Sequence, residues 1–392
     1  MKKFIHILLN MYLGLFLTEA TISFLDDSLI LFNVHILSGS RILLGFFILL
    51  TSSLIYLLMG FTPMVPKRFF LPLVLFPLAA ILGAAPLFIY HYSQIQYISW
   101  GISLCQILLI LGLLAWLQRG IHFRMPFIRL GQISDQRFSW PNLSAFIAAN
   151  VFLLVPAVLF YLAFCAALAV KHFSAEFLTL HPNRLAAHAK KYVRDDGKAI
   201  QLIPMMHIGQ SSFYQNISKS FPTNSVILME GVTDKKHRLK HKLSYKRAAS
   251  VVGLSEQQEN FIPQQGRILH ADMDIDQFSK ETIDFLNMVA FIHSKGLNAQ
   301  TLAAFLQKSQ DSKNIEDNIL EDILYRRNDH LLKVILAEVE GTDLVIVPWG
   351  ALHMSGIATK IQRSGFHPVE TQEYSIIQFQ KTHGNPVLPT KK

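Results

Sequence analysis

Cysteine is nearly absent from this chain: 392 residues contain two, Cys105 and Cys165, and both fall inside long apolar runs. The carboxyl half therefore has no disulfide, no thiolate metal site and no cysteine nucleophile. His-Glu-x-x-His, Gly-x-Ser-x-Gly and Gly-x-x-x-x-Gly-Lys are missing too, which removes the short signatures of zincin proteases, serine α/β-hydrolases and phosphate-loop NTPases. There is no internal repeat. Charge is sparse at 16% of residues, and sparsest in the first 171, which carry ten Lys or Arg and four Asp or Glu.

What fills those 171 residues is apolar sequence. The clearest runs are Arg41 to Gly60, Phe70 to His91, Ile98 to Leu117 and Phe146 to Val170, each near the roughly 20 residues that cross a bilayer core. A fifth, Phe4 to Phe24, holds His6 and Glu19. With Lys2 and Lys3 ahead of it, it admits two readings, a span or a secretory signal peptide. Basic residues stay on the cytoplasmic side of short loops. Lys67 and Arg68 mark one such loop; Arg119, Arg124, Arg129 and Arg137 against Asp135 mark another. The loop around Ser93 to Tyr97 has no Lys or Arg, and Asp26 and Asp27 precede the second span. The topology expected is amino terminus inside and carboxyl domain outside. Arg41 alone opposes it, as a span-end residue able to snorkel, and the spans are expected to lack paired buried charges of the kind that mark an ion path.

The net charge of +9 raises nucleic acid as a partner, but its distribution argues for none, since about +3 is left outside the first 171 residues. The strongest basic run, Lys235 to Lys242 followed by Lys246 and Arg247, has no interleaved aromatics and reads as a solvated face. His237 and His241 in it are four apart, yet their neighbouring cations disfavour a metal there.

Residues 172–380 read as one α/β domain, and 381–392 as a disordered polar tail. Strand-like runs cover Ala199 to Met205, Ser225 to Met229 and Asp343 to Pro348. Helical patterns cover Asp276 to Ser294, Asn298 to Gln307, Ile315 to Val339 and Met354 to Arg363, the last stopping at Gly365. Strands separated by such helices imply a largely parallel or mixed sheet covered by helices, following an α-helical membrane region of about five helices. Ligands collect at the carboxyl ends of the strands in such sheets. His207, Glu230 and His353 each stand just past a strand end, so parallel strands would bring them to one edge. Two imidazoles and a carboxylate are a donor set for a divalent metal that activates water. Each also has a plain reading: a histidine after a strand often caps a helix or bonds a carbonyl, and a carboxylate at the core edge needs a partner. Asp272, Asp274 and Asp276 alternate with apolar residues, as a calcium-like turn, as an acidic turn beside the site or, the favoured reading, as an N-cap for the next helix. Arg326 and Arg327 lie mid-helix, where surface charge is the usual role and a substrate carboxylate the alternative. Ser211 and Ser212 read as helix-start residues.

Five stretches in order resemble the TraB/PrgY/GumN family, which includes the Tiki-type metal-dependent peptidases. They are Pro204-Met205-Met206-His207, Leu228-Met229-Glu230, Ala271-Asp272-Met273-Asp274, Arg326-Arg327-Asn328-Asp329 and Gly350-Ala351-Leu352-His353. The resemblance spans Gln201 to Gln380 and excludes the membrane region. It implies that His207 and His353 match the paired Gly-x-x-His histidines and that Glu230 is the acid between them, the three holding manganese, cobalt or zinc. Glu230 and Arg327 would be catalytic, with Asp272 behind them. Two departures stand out: Pro204 replaces a glycine, removing a backbone donor, and Arg326 replaces a common glutamate. The function implied is a membrane-anchored hydrolase of peptide or amide bonds, anchored among membrane lipids in a bacterial inner membrane. The alternative is a non-catalytic protein that sequesters a peptide or other ligand.

Overall fold

The computed structural model describes residues 1–121, 123–240, 245–295 and 315–379, and the chain divides into two compact units, Met1–Leu168 and Ala169–Lys392. The expected helix over Asn298 to Gln307, the tail over 381–392 and His241 lie outside the described residues.

The first unit is helical: α1 (Lys2–Ile30), α2 (Ser38–Phe61), α3 (Lys67–His91), α4 (Ile95–Gln118), α5 (Trp140–Ala149) and α6 (Val155–Phe173). A π-helical turn at Asn150–Leu154 joins α5 to α6. Four helical stretches are long and apolar enough to cross a membrane, so the protein is membrane-associated through this unit. One of the four, Lys67–Gln118, has 52 residues, about 78 Å if straight, against roughly 30 Å of hydrocarbon. It turns back at Tyr92–Gln94, since Phe69 near the start of α3 meets Trp116 near the end of α4 at 4.7 Å between ring centroids. α1 has the lowest hydropathy of the four yet is the most buried. Leu9, Leu13, Phe16 and Ala20 form its core stripe at the three- and four-residue spacing of one helix face, so this segment packs as an integral helix of the bundle.

Burial of α1 explains a departure from expectation: the spans do contain paired buried charge. Asp26 and Asp27 are buried and both pair with Arg41 at the start of α2. Arg41 is therefore an ion-pair partner rather than a lone snorkelling cation. Ser38 donates to Asp26 and Ser103 of α4 to Asp27. Lower on the same seam, Glu19 accepts from Ser23 and from Gln106, which lies in the middle of α4. Glu19, Ser23 and Asp27 step by four along α1, and Ser103 and Gln106 by three along α4, so each carboxylate meets a donor across one helix–helix contact. A carboxylate in hydrocarbon without such partners costs several kcal/mol. At the other end of the bundle Lys2 pairs with Asp135, His6 and Asn10 bond the Ile128 carbonyl, and Lys67 bonds Asn142. The basic loops thus share one end.

The second unit is a seven-stranded mixed sheet with helices on both faces. Its strands are β1 (Leu178–Leu180), β2 (Arg184–Val193), β3 (Ala199–Met205), β5 (Val226–Met229), β7 (Arg267–His270), β8 (Leu344–Gly350) and β9 (His367–Gln378), while β4 (Ile208–Gly209) and β6 (Ser255–Glu256) form a separate short pair. The order is β1-β2-β3-β8-β5-β7, with β9 also on β2. β2 runs antiparallel to β1, β3 and β9; β3, β8, β5 and β7 are mutually parallel. The helices are α7 (Ser211–Lys219), α8 (Lys246–Val251), α9 (Gln257–Asn260), α10 (Lys280–Lys295), α11 (Ile315–Leu320), α12 (Arg327–Gly341) and α13 (Ala351–Arg363), with a π-helical segment at Glu321–Arg326 between α11 and α12. Strand residues alternate between two cores. Ile200, Leu202, Val345, Val347 and Trp349 pack with Leu331, Ile335 and Val339 of α12 and Met354, Ile357 and Ile361 of α13. Ile203, Met205, Ile227 and Ile346 pack with Phe213, Tyr214 and Ile217 of α7 on the other face.

Replacing Arg41 with Ala strands two buried carboxylates. Because the arginine side chain is 30% exposed, the loss expected is roughly 2 kcal/mol, below the full penalty for a wholly buried pair. Thermal melts in detergent would show a lowered midpoint for Arg41→Ala, partly restored by adding Asp26→Asn and Asp27→Asn. An unchanged midpoint would mean the pair is not holding α1 to α2.

Candidate functional site

Four parallel strands end on one edge, and their register sets what meets there. Met229 of β5 lies opposite His270 of β7, and the Ala271 amide donates to the Met229 carbonyl. Glu230 and Asp272, each just past its strand, are thereby neighbours. β8 lies on the other side of β5 and ends at Gly350, whose backbone amide donates to Glu230 Oε2 at 2.6 Å. A side chain at 350 would crowd that carboxylate, since a Cβ there would lie 3.3 Å from Oε2. Glycine lets the strand end come this close.

Arg327 reaches the same point from above the sheet edge. Leu331, Ile335 and Val339 mark the buried face of α12 in steps of four, and one step back lands on Arg327. The residue is 7% exposed. Its Nε and Nη2 form a fork on Asp272, at 2.9 Å to Oδ1 and 2.6 Å to Oδ2. Nη2 also donates to Glu230 Oε1 at 2.9 Å, and Nη1 to His353 Nε2 at 3.1 Å and to the Ile323 carbonyl at 3.3 Å. The guanidinium stands over the Trp349 ring, 5.2 Å from its centroid. Asp272 accepts further from the Gly231 and Met273 amides. Arg326, by contrast, turns to Asp322 as a helix-face ion pair.

His353, in the first turn of α13, is 5% exposed. Its Nδ1 lies 2.7 Å from Asn328 Oδ1, which can only accept, so Nδ1 carries the proton and Nε2 the lone pair that faces Arg327. Burial first, and then the Arg327 guanidinium, push its pKa from 6.5 to about 4, against the opposite pull of Glu230 and Asp272. The imidazole is neutral at pH 7. Asn328 is seated by the absence of a side chain at Gly356, where a Cβ would meet Asn328 Nδ2 at 2.7 Å. Glu230 Oε1 and His353 Nε2 are 3.7 Å apart.

Sequence-based candidates therefore divide. Glu230, Asp272, Arg327 and His353 meet at the rim. His207 is exposed and stacks on Tyr245, centroids 4.8 Å apart and planes 6° apart. It is near enough to add to the downward push on His353, but no hydrogen bond joins its ring to the other four among the described residues. Asp274 caps the short turn Ile275–Gln277 by accepting from the Asp276 amide, and Asp276 pairs with Lys236 and Arg238, so two of the three aspartates serve the loop. His237 sits at a left-handed turn position, outside any helix. Asn328, given no role by the sequence reading, orients His353. Its signal was its place beside an arginine on the apolar face of α12.

His207, Glu230 and His353, the donor set expected for a metal, do not fit one as arranged. Arg327 already lies against Glu230, Asp272 and His353, and the His353 lone pair points at its Nη1. Among the described residues no three His, Cys, Asp or Glu side chains are grouped to hold an ion. No protein-family model, curated protein or solved structure matches the chain, so the TraB/GumN likeness rests on its motifs.

The depressed His353 pKa has a consequence for stability. An unfolded chain binds more protons than the folded one between pH about 4 and 6.5, so this group's contribution is full above pH 6.5 and is lost as pH falls toward 4. The loss is at most about 3 kcal/mol. Denaturant unfolding followed across that window should show the fall in the wild type and a flatter profile in His353→Gln. Equal slopes would place His353 outside the buried network.

Proposed function

We propose that this protein is a membrane-anchored hydrolase of the TraB/GumN kind that acts on peptide or amide bonds. The observation that carries this reading is the meeting of Glu230, Asp272, Arg327 and His353, remote in sequence, at the carboxyl edge of parallel strands, where ligands collect in such sheets. Glu230 is the partly exposed member, at 13%, and is the group placed to take a proton from an attacking water. Arg327 supplies the fixed positive charge against which negative charge on a carbonyl oxygen would develop. His207 and Tyr245 border the exposed side.

A second reading, sequestration of a peptide or other ligand without turnover, is favoured by a specific feature. Both Glu230 oxygens are already engaged, one by Arg327 and one by the Gly350 amide, so an attacking water would have to share an oxygen with a donor already in place. Pro204, in β3 before His207, also removes a backbone donor where the family has glycine.

The α/β unit is proposed to face the extracytoplasmic side of a bacterial inner membrane. Support comes from the basic loops gathered at one end of the bundle with the amino terminus, the end retained in the cytoplasm by the positive-inside rule. An odd number of crossings then puts the chain after α6 on the far side. Alkaline phosphatase fused after Phe379 is expected to be active, and a fusion within the loop at Gln132 inactive; the reverse pattern would invert the topology.

The function is tested by exposing the full-length protein in detergent to a defined peptide mixture and following products by mass spectrometry. Cleavage that falls about 100-fold or more in Glu230→Gln, with peptide binding retained, supports hydrolysis. Binding without cleavage supports sequestration, and neither would remove the rim from both roles.

A further inference from the structure

The groups that a divalent ion would need at this rim are already bridged by a cation of the chain itself. We infer that Arg327 stands in place of a metal ion, and that the site is metal-independent. The inference rests on the reading of this rim as the functional site.

One guanidinium touches two of the three candidate ligands and the aspartate beside them: Glu230 through Nη2, His353 through Nη1 and Asp272 through two parallel bonds. The fork on Asp272 fixes the plane of the group, which a lysine's point charge would not do. Backbone amides take further acceptor positions: Gly350 on the second oxygen of Glu230, Gly231 and Met273 on Asp272. An ion entering the rim would have to displace these donors or sit beside a fixed positive charge. Arg327 also has no easy exit. Its side chain is 8% exposed, it lies against Trp349, and it occupies the buried step of α12 that continues through Leu331. His207, the third ligand implied by the resemblance, is stacked on Tyr245. The chemistry left to the rim is that of a carboxylate, a neutral imidazole and a guanidinium, with water as the co-reactant of hydrolysis.

The test uses the full chain in detergent, stripped with a chelator and then equilibrated with manganese or zinc. Bound metal is read by elemental analysis and by calorimetric titration. Wild-type protein is expected to bind no stoichiometric ion and to keep its melting temperature with chelator. Arg327→Ala, shown to be folded by its melt, uncovers Glu230, Asp272 and His353. It is expected to gain a divalent site at least about tenfold tighter than any in the wild type, lost again in Arg327→Ala/Glu230→Gln. A wild-type chain that holds one ion, released by Glu230→Gln or His353→Ala, overturns the inference. So does a folded Arg327→Ala that gains nothing. If the alanine variant does not fold, the wild-type metal content decides by itself. Cleavage is scored separately. A metal-free chain that cleaves peptide supports both readings, and a metal-free chain that only binds peptide keeps this inference while sinking hydrolysis. A metal-loaded chain ends the inference whatever its activity.

Discussion

The Arg327 guanidinium ties the ends of two strands and two helices together. Asp272 after β7, Glu230 after β5, His353 at the start of α13 and Arg327 at the start of α12 share no local contact in sequence. They converge because the strands are parallel and in register, and because α12 presents its buried face at the edge where those strands finish. Each group alone would be unfavourable there. Removing any one partner from a buried pair typically costs about 3–5 kcal/mol, because the charge left behind has nothing to replace it. Together they form a network in which the guanidinium meets two carboxylates and the imidazole stays neutral. Small residues make room for it: Gly350 brings backbone against Glu230, and Gly356 leaves space for the amide that orients His353.

Similar physics governs the helical unit with different residues. Asp26 and Asp27 are buried in a bundle that composition alone would describe as uniformly greasy, and they are tolerated because Arg41, Ser38 and Ser103 face them. Among the described residues, Glu19 has neutral hydrogen-bond partners only, Ser23 and Gln106. The helix that carries these acids is the least apolar span and the most buried, as expected if its polar atoms are satisfied by neighbouring helices rather than exposed to lipid.

Much of this was legible in the residues. The spans followed from length and apolar composition, though the bend that splits Lys67–Gln118 in two was visible only as a polar patch near Ser93. The three strands leading to His207, Glu230 and Gly350 were marked by short β-branched and aliphatic runs. β2 and β9 were not, because neither keeps the strict apolar-to-polar alternation that marks a half-buried strand: Ala186 adjoins Ala187 and Lys190 adjoins Lys191 in β2, and Glu370 to Glu373 is an unbroken polar run in β9. At the rim, Glu230 was the strongest candidate, since a carboxylate directly after a buried strand must find a partner. The sequence did not name that partner. Arg326 and Arg327 look alike as a pair, but only the second falls on the step through Leu331 and Ile335, so only it is carried inward. Asn328 follows it into the interior.

The measurement that bears most directly on this account is anomalous diffraction, at the manganese edge, from crystals of the full chain soaked in manganese. The account predicts no anomalous peak between Glu230 and His353, with the Arg327 guanidinium filling that position and forked on Asp272. A peak there, with Arg327 swung away from both carboxylates, would contradict it.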